Sequence, residues 1–220
     1  MFPNLIARHW LGPRFNVAPA QPVPAVLNSM PGEVQWIRWG LVPYWAKDET
    51  IGNKLINARA ETLMEKPAFR RAFRQQRCLI LADGFFEWVA IPGSRIKKPY
   101  LIRMKNGDPF AFAGLWDRWV GPSCELLSCT IITTPPNELV APIHNRMPAI
   151  LAAASHERWL HDTAPPRELL LPFPADAMSA IPVSTVVNPP AHDAPECIEP
   201  ESRQGELLQF NSVNIERPRR

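Results

Sequence analysis

Apolar positions recur at two spacings along the chain. Over residues 60–76, Leu63, Met64, Ala68, Ala72 and Phe73 lie near the spacing that stacks side chains on one helical face, which predicts a helix. Pro67 marks a boundary or kink in its first turn, because proline has no amide hydrogen to donate. Runs rich in β-branched and aromatic residues follow at 78–82, 85–89, 100–104, 110–116 and 126–133, broken by Gly, Pro, Asn and Asp, and these read as strands. Asn106-Gly107-Asp108 is a turn between two of them. Residues 136–140 predict one helical turn, 147–151 a strand, and 155–160 a short helix capped by Ser155 with Trp159 packed inward. Strands therefore dominate and helices are inserted among them. The predicted fold class is α+β, a mostly antiparallel, barrel-like sheet with inserted helices. The 220 residues predict a single domain over 1–220, ending in an irregular, polar, proline-rich tail from about 185.

Composition narrows the function classes. The longest apolar runs, 78–82 and 149–154, fall far short of the roughly 20 residues that cross a bilayer, so no membrane association is expected. The first residues lack a basic stretch followed by an apolar core, and a cytoplasmic location is the expectation. Four cysteines, Cys78, Cys124, Cys129 and Cys197, are irregularly spaced and form no C-x-x-C pair, which predicts free thiols and no metal. No cofactor motif is present, and a monomer is expected. There is no Ser-His-Asp order, glycine-rich phosphate loop or H-E-x-x-H, so a triad hydrolase, an NTPase and a zincin all lose support. The net charge of +3 permits nucleic-acid binding without requiring it. Its distribution is more informative: Arg59, Lys66, Arg70, Arg71, Arg74 and Arg77 face only Glu61 and Glu65 in the same stretch. Such a stretch is either a solvated helix face or a phosphate-binding surface.

Three polar residues stand out inside apolar or proline-bracketed segments. Glu87, in Gly84-Phe85-Phe86-Glu87-Trp88, shares a strand face with Phe85 and Val89. Turned inward it would have a raised pKa, suited to a general acid or base; on an edge strand it would simply face water. His144 lies in a loop between Pro142 and Pro148, where a rigid scaffold can present a functional group, although a lone histidine is also commonly structural or solvated. Asn57 ends Asn53-Lys54-Leu55-Ile56-Asn57, and its plain reading is a helix N-cap or turn.

Five segments, in order, resemble the SRAP (SOS response-associated peptidase) family: Arg14-Phe15-Asn16-Val17-Ala18-Pro19, Trp39-Gly40-Leu41-Val42-Pro43, Asn57-Ala58-Arg59-Ala60-Glu61-Thr62, Ala82-Asp83-Gly84-Phe85-Phe86-Glu87-Trp88 and Ile143-His144-Asn145-Arg146-Met147-Pro148. The resemblance implies binding to abasic sites in single-stranded DNA. In the family a cysteine follows the initiator methionine, and once freed its amine and thiol trap the ring-opened sugar aldehyde as a thiazolidine. The resemblance gives Asn57 the role of orienting the nucleophile, Glu87 that of assisting methionine removal and imine formation, and His144 that of opening the sugar or shuttling protons. It also assigns DNA contacts to Arg59, Arg70, Arg71, Arg77 and Arg146, with Trp39 and Trp45 offered to bases. The chain departs from the pattern at Phe2, where the family has cysteine, and at Asn145, where it often has aspartate. An amine without a neighbouring thiol forms a reversible imine and no ring. Two functional classes follow: a covalent abasic-site sensor whose Met-Cys start lies upstream of Met1, or a non-catalytic relative that binds single-stranded DNA. A peptidase acting on other proteins is a third, weaker reading.

Overall fold

The computed structural model describes residues 5–7, 12–93 and 95–201. In chain order its strands are β1 (Ile6–Ala7), β2 (Pro22–Leu27), β3 (Met30–Trp39), β4 (Asn57–Arg59), β5 (Arg77–Ala82), β6 (Phe85–Ala90), β7 (Lys97–Met104), β8 (Phe110–Val120), β9 (Glu125–Thr134), β10 (Met147–Pro148), β11 (Ile150–Leu151) and β12 (Met178–Pro182). Among the described residues two α-helices accompany them, α1 (Pro67–Gln75) and α2 (His156–His161). Neighbours in the order β3-β2-β5-β8-β9 are antiparallel, and a parallel pairing of Arg38 and Trp39 with Ser128 and Cys129 closes them into a barrel. The expected α+β class with a mostly antiparallel barrel is therefore what forms, with parallel pairings at β1, β4 and the closure.

Period-two alternation sorts the barrel side chains into two cores. Val23, Ala25 and Leu27 on β2, Cys78 and Ile80 on β5, Phe110, Phe112 and Trp116 on β8, and Cys129 and Ile131 on β9 share one cluster, the barrel interior. The intervening Val26, Leu79, Ala111, Ala113, Leu115 and Ile132 form a second cluster on the outer face. There they meet Phe69, Ala72 and Phe73 of α1 and Trp159 and Leu160 of α2. Because both its faces are covered, β8 reads as a continuous apolar run rather than an alternating one.

Several expected elements shift in detail. The helix expected over 60–76 begins only at Pro67, which takes the first helical position where its missing amide costs nothing; Ala60–Thr62 is a separate 3-10 turn. The strand expected over 147–151 breaks at Ala149, whose amide donates to Ile132 and whose carbonyl accepts from Ala113, so that β10 joins β9 and β11 joins β8. Ser155 makes no side-chain capping bond to α2, whereas Trp159 is fully buried as expected. Residues 136–140 form a turn held by Asn137, whose side-chain oxygen accepts from the Val140 amide. Strand β2 escapes the sequence reading because Pro22 and Pro24 break the strand pattern. Both prolines fall where β2 pairs with β3 alone, before β5 joins at Ala25, so no ladder bond to β5 is lost there.

A second, three-stranded antiparallel sheet, β12-β7-β6, lies against the barrel. Its Phe85, Ile102, Met104 and Ala180 side joins the interior cluster, while Phe86, Trp88 and Leu101 face a third cluster with Val183, Val187 and Cys197. The segment after 184 has no long regular element, but it is anchored. Asp193 accepts from the amides of Phe15 and Asn16 and pairs with Arg14, and the Asn16 side chain donates to the carbonyls of Val187, Pro189 and His192.

Candidate functional site

β6 and the loop before β10 bring two of the expected residues together. Glu87 stands two positions after Phe85, on the side of the small sheet that faces the barrel, and its side chain is only 20% exposed. Loss of water raises its pKa, and the positive fields of His144 and Lys97 partly counter that rise. His144 Nδ1 lies 3.8 Å from the Glu87 carboxylate. The same nitrogen faces the backbone of Arg146, with the amide at 3.2 Å and the carbonyl at 3.1 Å, and Nε2 makes no hydrogen bond among the described residues. A carboxyl biased toward its protonated form beside an imidazole with one edge open can give and take protons.

Asn57 approaches from β4, which extends the row begun by β3 along β9. It is a strand residue paired with Ile131, not a helix cap, because the chain enters 60–62 only after β4. Asn57 and Arg59 are exposed and flank the buried Ala58, so they share a face, on the same side of the sheet as their partners Ile131 and Thr133. Arg146 donates from Nη1 and Nη2 to the Glu61 carboxylate at 2.7 and 2.9 Å, and from Nη2 to the Thr133 carbonyl at 2.5 Å. Arg59, Arg146 and Asn57 thus cluster at the end of β9, with His144 two residues from Arg146. Glu61, which in sequence had no role beyond a counter-charge within its motif, holds Arg146 together with the Thr133 carbonyl.

Of the other expected DNA contacts, Trp39 adjoins β4, whereas Arg70, Arg71, Arg77 and Trp45 lie elsewhere. Arg77 is 2% exposed and donates to the carbonyls of Phe73, Arg74, Trp159, Leu160 and Asp162. Its guanidinium joins the ends of α1 and α2 and offers nothing to a ligand, which corrects its assignment as a DNA contact. Arg70 and Arg71 lie on α1, over the outer face of the barrel. Arg71 is partly engaged, donating to Gln76 and Asp117 and lying 4.5 Å over the Tyr44 ring, whereas Arg70 is exposed. Trp39 is half-buried and its indole donates to the Ile56 carbonyl at 2.9 Å, tying β3 to the approach of β4. Trp45 is 48% exposed beside Tyr44. Phe2 lies outside the described residues.

The profile of the family described as SOS response associated peptidase (SRAP) matches residues 5–190. The chain is similar to the abasic site processing protein YoaM of Bacillus subtilis, with 47% identity over 196 residues covering 86% of each chain. It is also similar to the mouse abasic site processing protein HMCES, with 33% identity covering 86% of this chain and 65% of the mouse protein. Among solved structures, a protein from Bacteroides thetaiotaomicron superposes with a TM-score of 0.76 at 32% identity, covering 83% of this chain and 82% of that one. With the motifs in order, the barrel in place and the family profile matched over most of its length, the chain belongs to the SRAP family.

Proposed function

We propose that this protein binds abasic sites in single-stranded DNA and that Glu87 and His144 manage the protons when the ring-opened sugar aldehyde meets an amine. The observation that carries the reading is the Glu87–His144 pair, with a carboxyl whose pKa is raised by burial set against an imidazole whose Nε2 is open. Imine formation needs a proton delivered to the departing hydroxyl and one removed from the attacking amine, and the two groups can share these tasks. Asn57 would orient the nucleophile. Arg59 would hold a phosphate that flanks the sugar, through the planar donor fork that suits phosphate oxygens, and Arg146, whose fork is taken by Glu61, would add positive charge beside it. Arg70, Arg71 and Trp45, on the outer side, would extend the contact for a strand long enough to reach them, with the indole stacking on a base. The names of the relatives support the abasic site as target.

The test mixes the protein with an abasic single-stranded oligonucleotide and then denatures with heat and detergent, with and without borohydride. The sequence beginning Met1-Phe2 should give a shifted band only with borohydride, which reduces an imine to a stable amine. A version in which Met-Cys-Gly-Arg replaces the first residues of that sequence should give a stable band without reductant. Failure of both to bind abasic DNA in preference to intact DNA would overturn the reading. Binding without any trapped product from either would favour a relative that only binds DNA.

A further inference from the structure

We propose that Glu61 is a positioning residue for the Glu87–His144 pair and acts through Arg146. The inference rests on the acid–base reading of that pair and adds a residue to which no role was given. Glu61 sits in the 3-10 turn Ala60–Thr62 that directly follows β4. Its carboxylate takes both terminal nitrogens of Arg146, at 2.7 and 2.9 Å, a two-pronged geometry that fixes the plane of the guanidinium. Arg146 also donates to the Thr133 carbonyl at 2.5 Å, so its side chain is pinned both to the turn after β4 and to the end of β9. The backbone of the same residue cradles the His144 ring, with the amide 3.2 Å and the carbonyl 3.1 Å from Nδ1. One edge of the imidazole is thereby set against a residue whose own side chain cannot swing, and that edge faces Glu87 at 3.8 Å. The chain of contacts runs Glu61, Arg146, His144, Glu87.

An isolated surface ion pair is worth little, and Glu61 is about half exposed. What separates this pair from an ordinary one is the third acceptor on Thr133 and the covalent link, two residues long, from the clamped arginine to the histidine. Arg146 burial favours the same reading, since its side chain is only 20% exposed and its bonds are correspondingly less contested by water. The expected consequence is a split between rate and affinity. Without Glu61 the His144 loop loses its fixed geometry, and a reacting group displaced by a fraction of an ångström slows proton transfer. Binding does not suffer, because a carboxylate has been removed from a phosphate-binding cluster.

The experiment measures the rate of borohydride-trapped imine formation on an abasic single-stranded oligonucleotide, together with the affinity for the same oligonucleotide, in the full chain. Glu61→Gln should slow trapping roughly ten- to hundredfold while leaving affinity unchanged or increased. Glu61→Asp, which keeps the carboxylate, should recover most of the rate. Arg146→Gln should lower both rate and affinity, and the double variant should trap no more slowly than Arg146→Gln alone, because Glu61 acts only through Arg146. A wild-type rate in Glu61→Gln, or additive losses in the double variant, would overturn the proposal. Glu87→Gln and His144→Gln separate the two levels. If they slow trapping while Glu61→Gln traps at the wild-type rate, the positioning role alone is wrong. If they too trap at the wild-type rate, the acid–base reading fails and this proposal with it.

Discussion

Glu87 occupies a face of β6 from which water is largely excluded, and burial raises its carboxyl while His144 and Lys97 pull in the other direction. A carboxyl whose folded pKa lies above its unfolded value binds its proton more tightly in the native state. The stability that follows is fully present below the unfolded pKa and is lost as pH rises through the folded one. Glu87→Gln removes the ionisation and keeps the shape. Its melting temperature should therefore exceed that of the wild type at pH 8 and lose this advantage toward pH 4, while imine trapping falls by roughly 10²–10⁴-fold. Thermal scans across that range check it; a variant less stable than the wild type at pH 8 would show that the carboxylate is favoured where it sits. Alternation along Gly84-Phe85-Phe86-Glu87-Trp88 was enough to place Glu87 on the Phe85 side, because a strand leaves only two choices. It could not say that the Phe85 side faces the barrel, nor that His144, 57 residues away, would arrive there. Such pairings depend on how the small sheet packs on the barrel, which no local pattern encodes.

At the scale of elements, Arg77 shows why residue type and charge density misled where packing decides. In sequence it is one more cation in the run that begins at Arg59. In the fold it opens β5, directly after α1, and its five donor contacts satisfy carbonyls at the ends of both helices. The last carbonyls of a helix have no intrahelical partner, and a guanidinium with five N–H groups can serve two helix ends at once. Arg77→Met should therefore leave several buried carbonyls unpaired and cost about 3 kcal/mol or more. Arg70→Met, on the exposed side of α1, should change stability by less than about 0.5 kcal/mol. Chemical denaturation of the two variants measures the difference, and equal stability would mean that the helix ends find other donors. The helix existed where the sequence placed it, but its start moved to Pro67 and the strand at 147–151 split at Ala149. Both shifts come from backbone bonding across elements, which periodicity does not report.

For the whole molecule, a net charge of +3 is too small to make the protein a general polyanion binder, so any grip on DNA must come from a few placed arginines. The barrel divides those arginines between two sides. Arg59, with Arg146, lies on the side of the sheet that bears Ile131 and Thr133, near Glu87 and His144, whereas Arg70 lies on α1 across the outer face. Each arginine that neutralises a phosphate on a single strand contributes about 0.7 to the slope of log affinity against log salt. An abasic oligonucleotide of about five nucleotides, near the lower end of single-strand site sizes, cannot lie on both sides at once. With that short strand, Arg59→Gln should lower the salt slope by roughly 0.7, and Arg70→Gln should leave it unchanged. With a strand several times longer, able to wrap from the Arg59 side onto α1, each substitution should lower the slope. Fluorescence anisotropy over a salt series measures all four values. Equal effects of Arg59 and Arg70 on the short strand would mean that α1 and the Arg59 side form one continuous surface, and affinity that does not depend on salt would remove DNA from the account altogether.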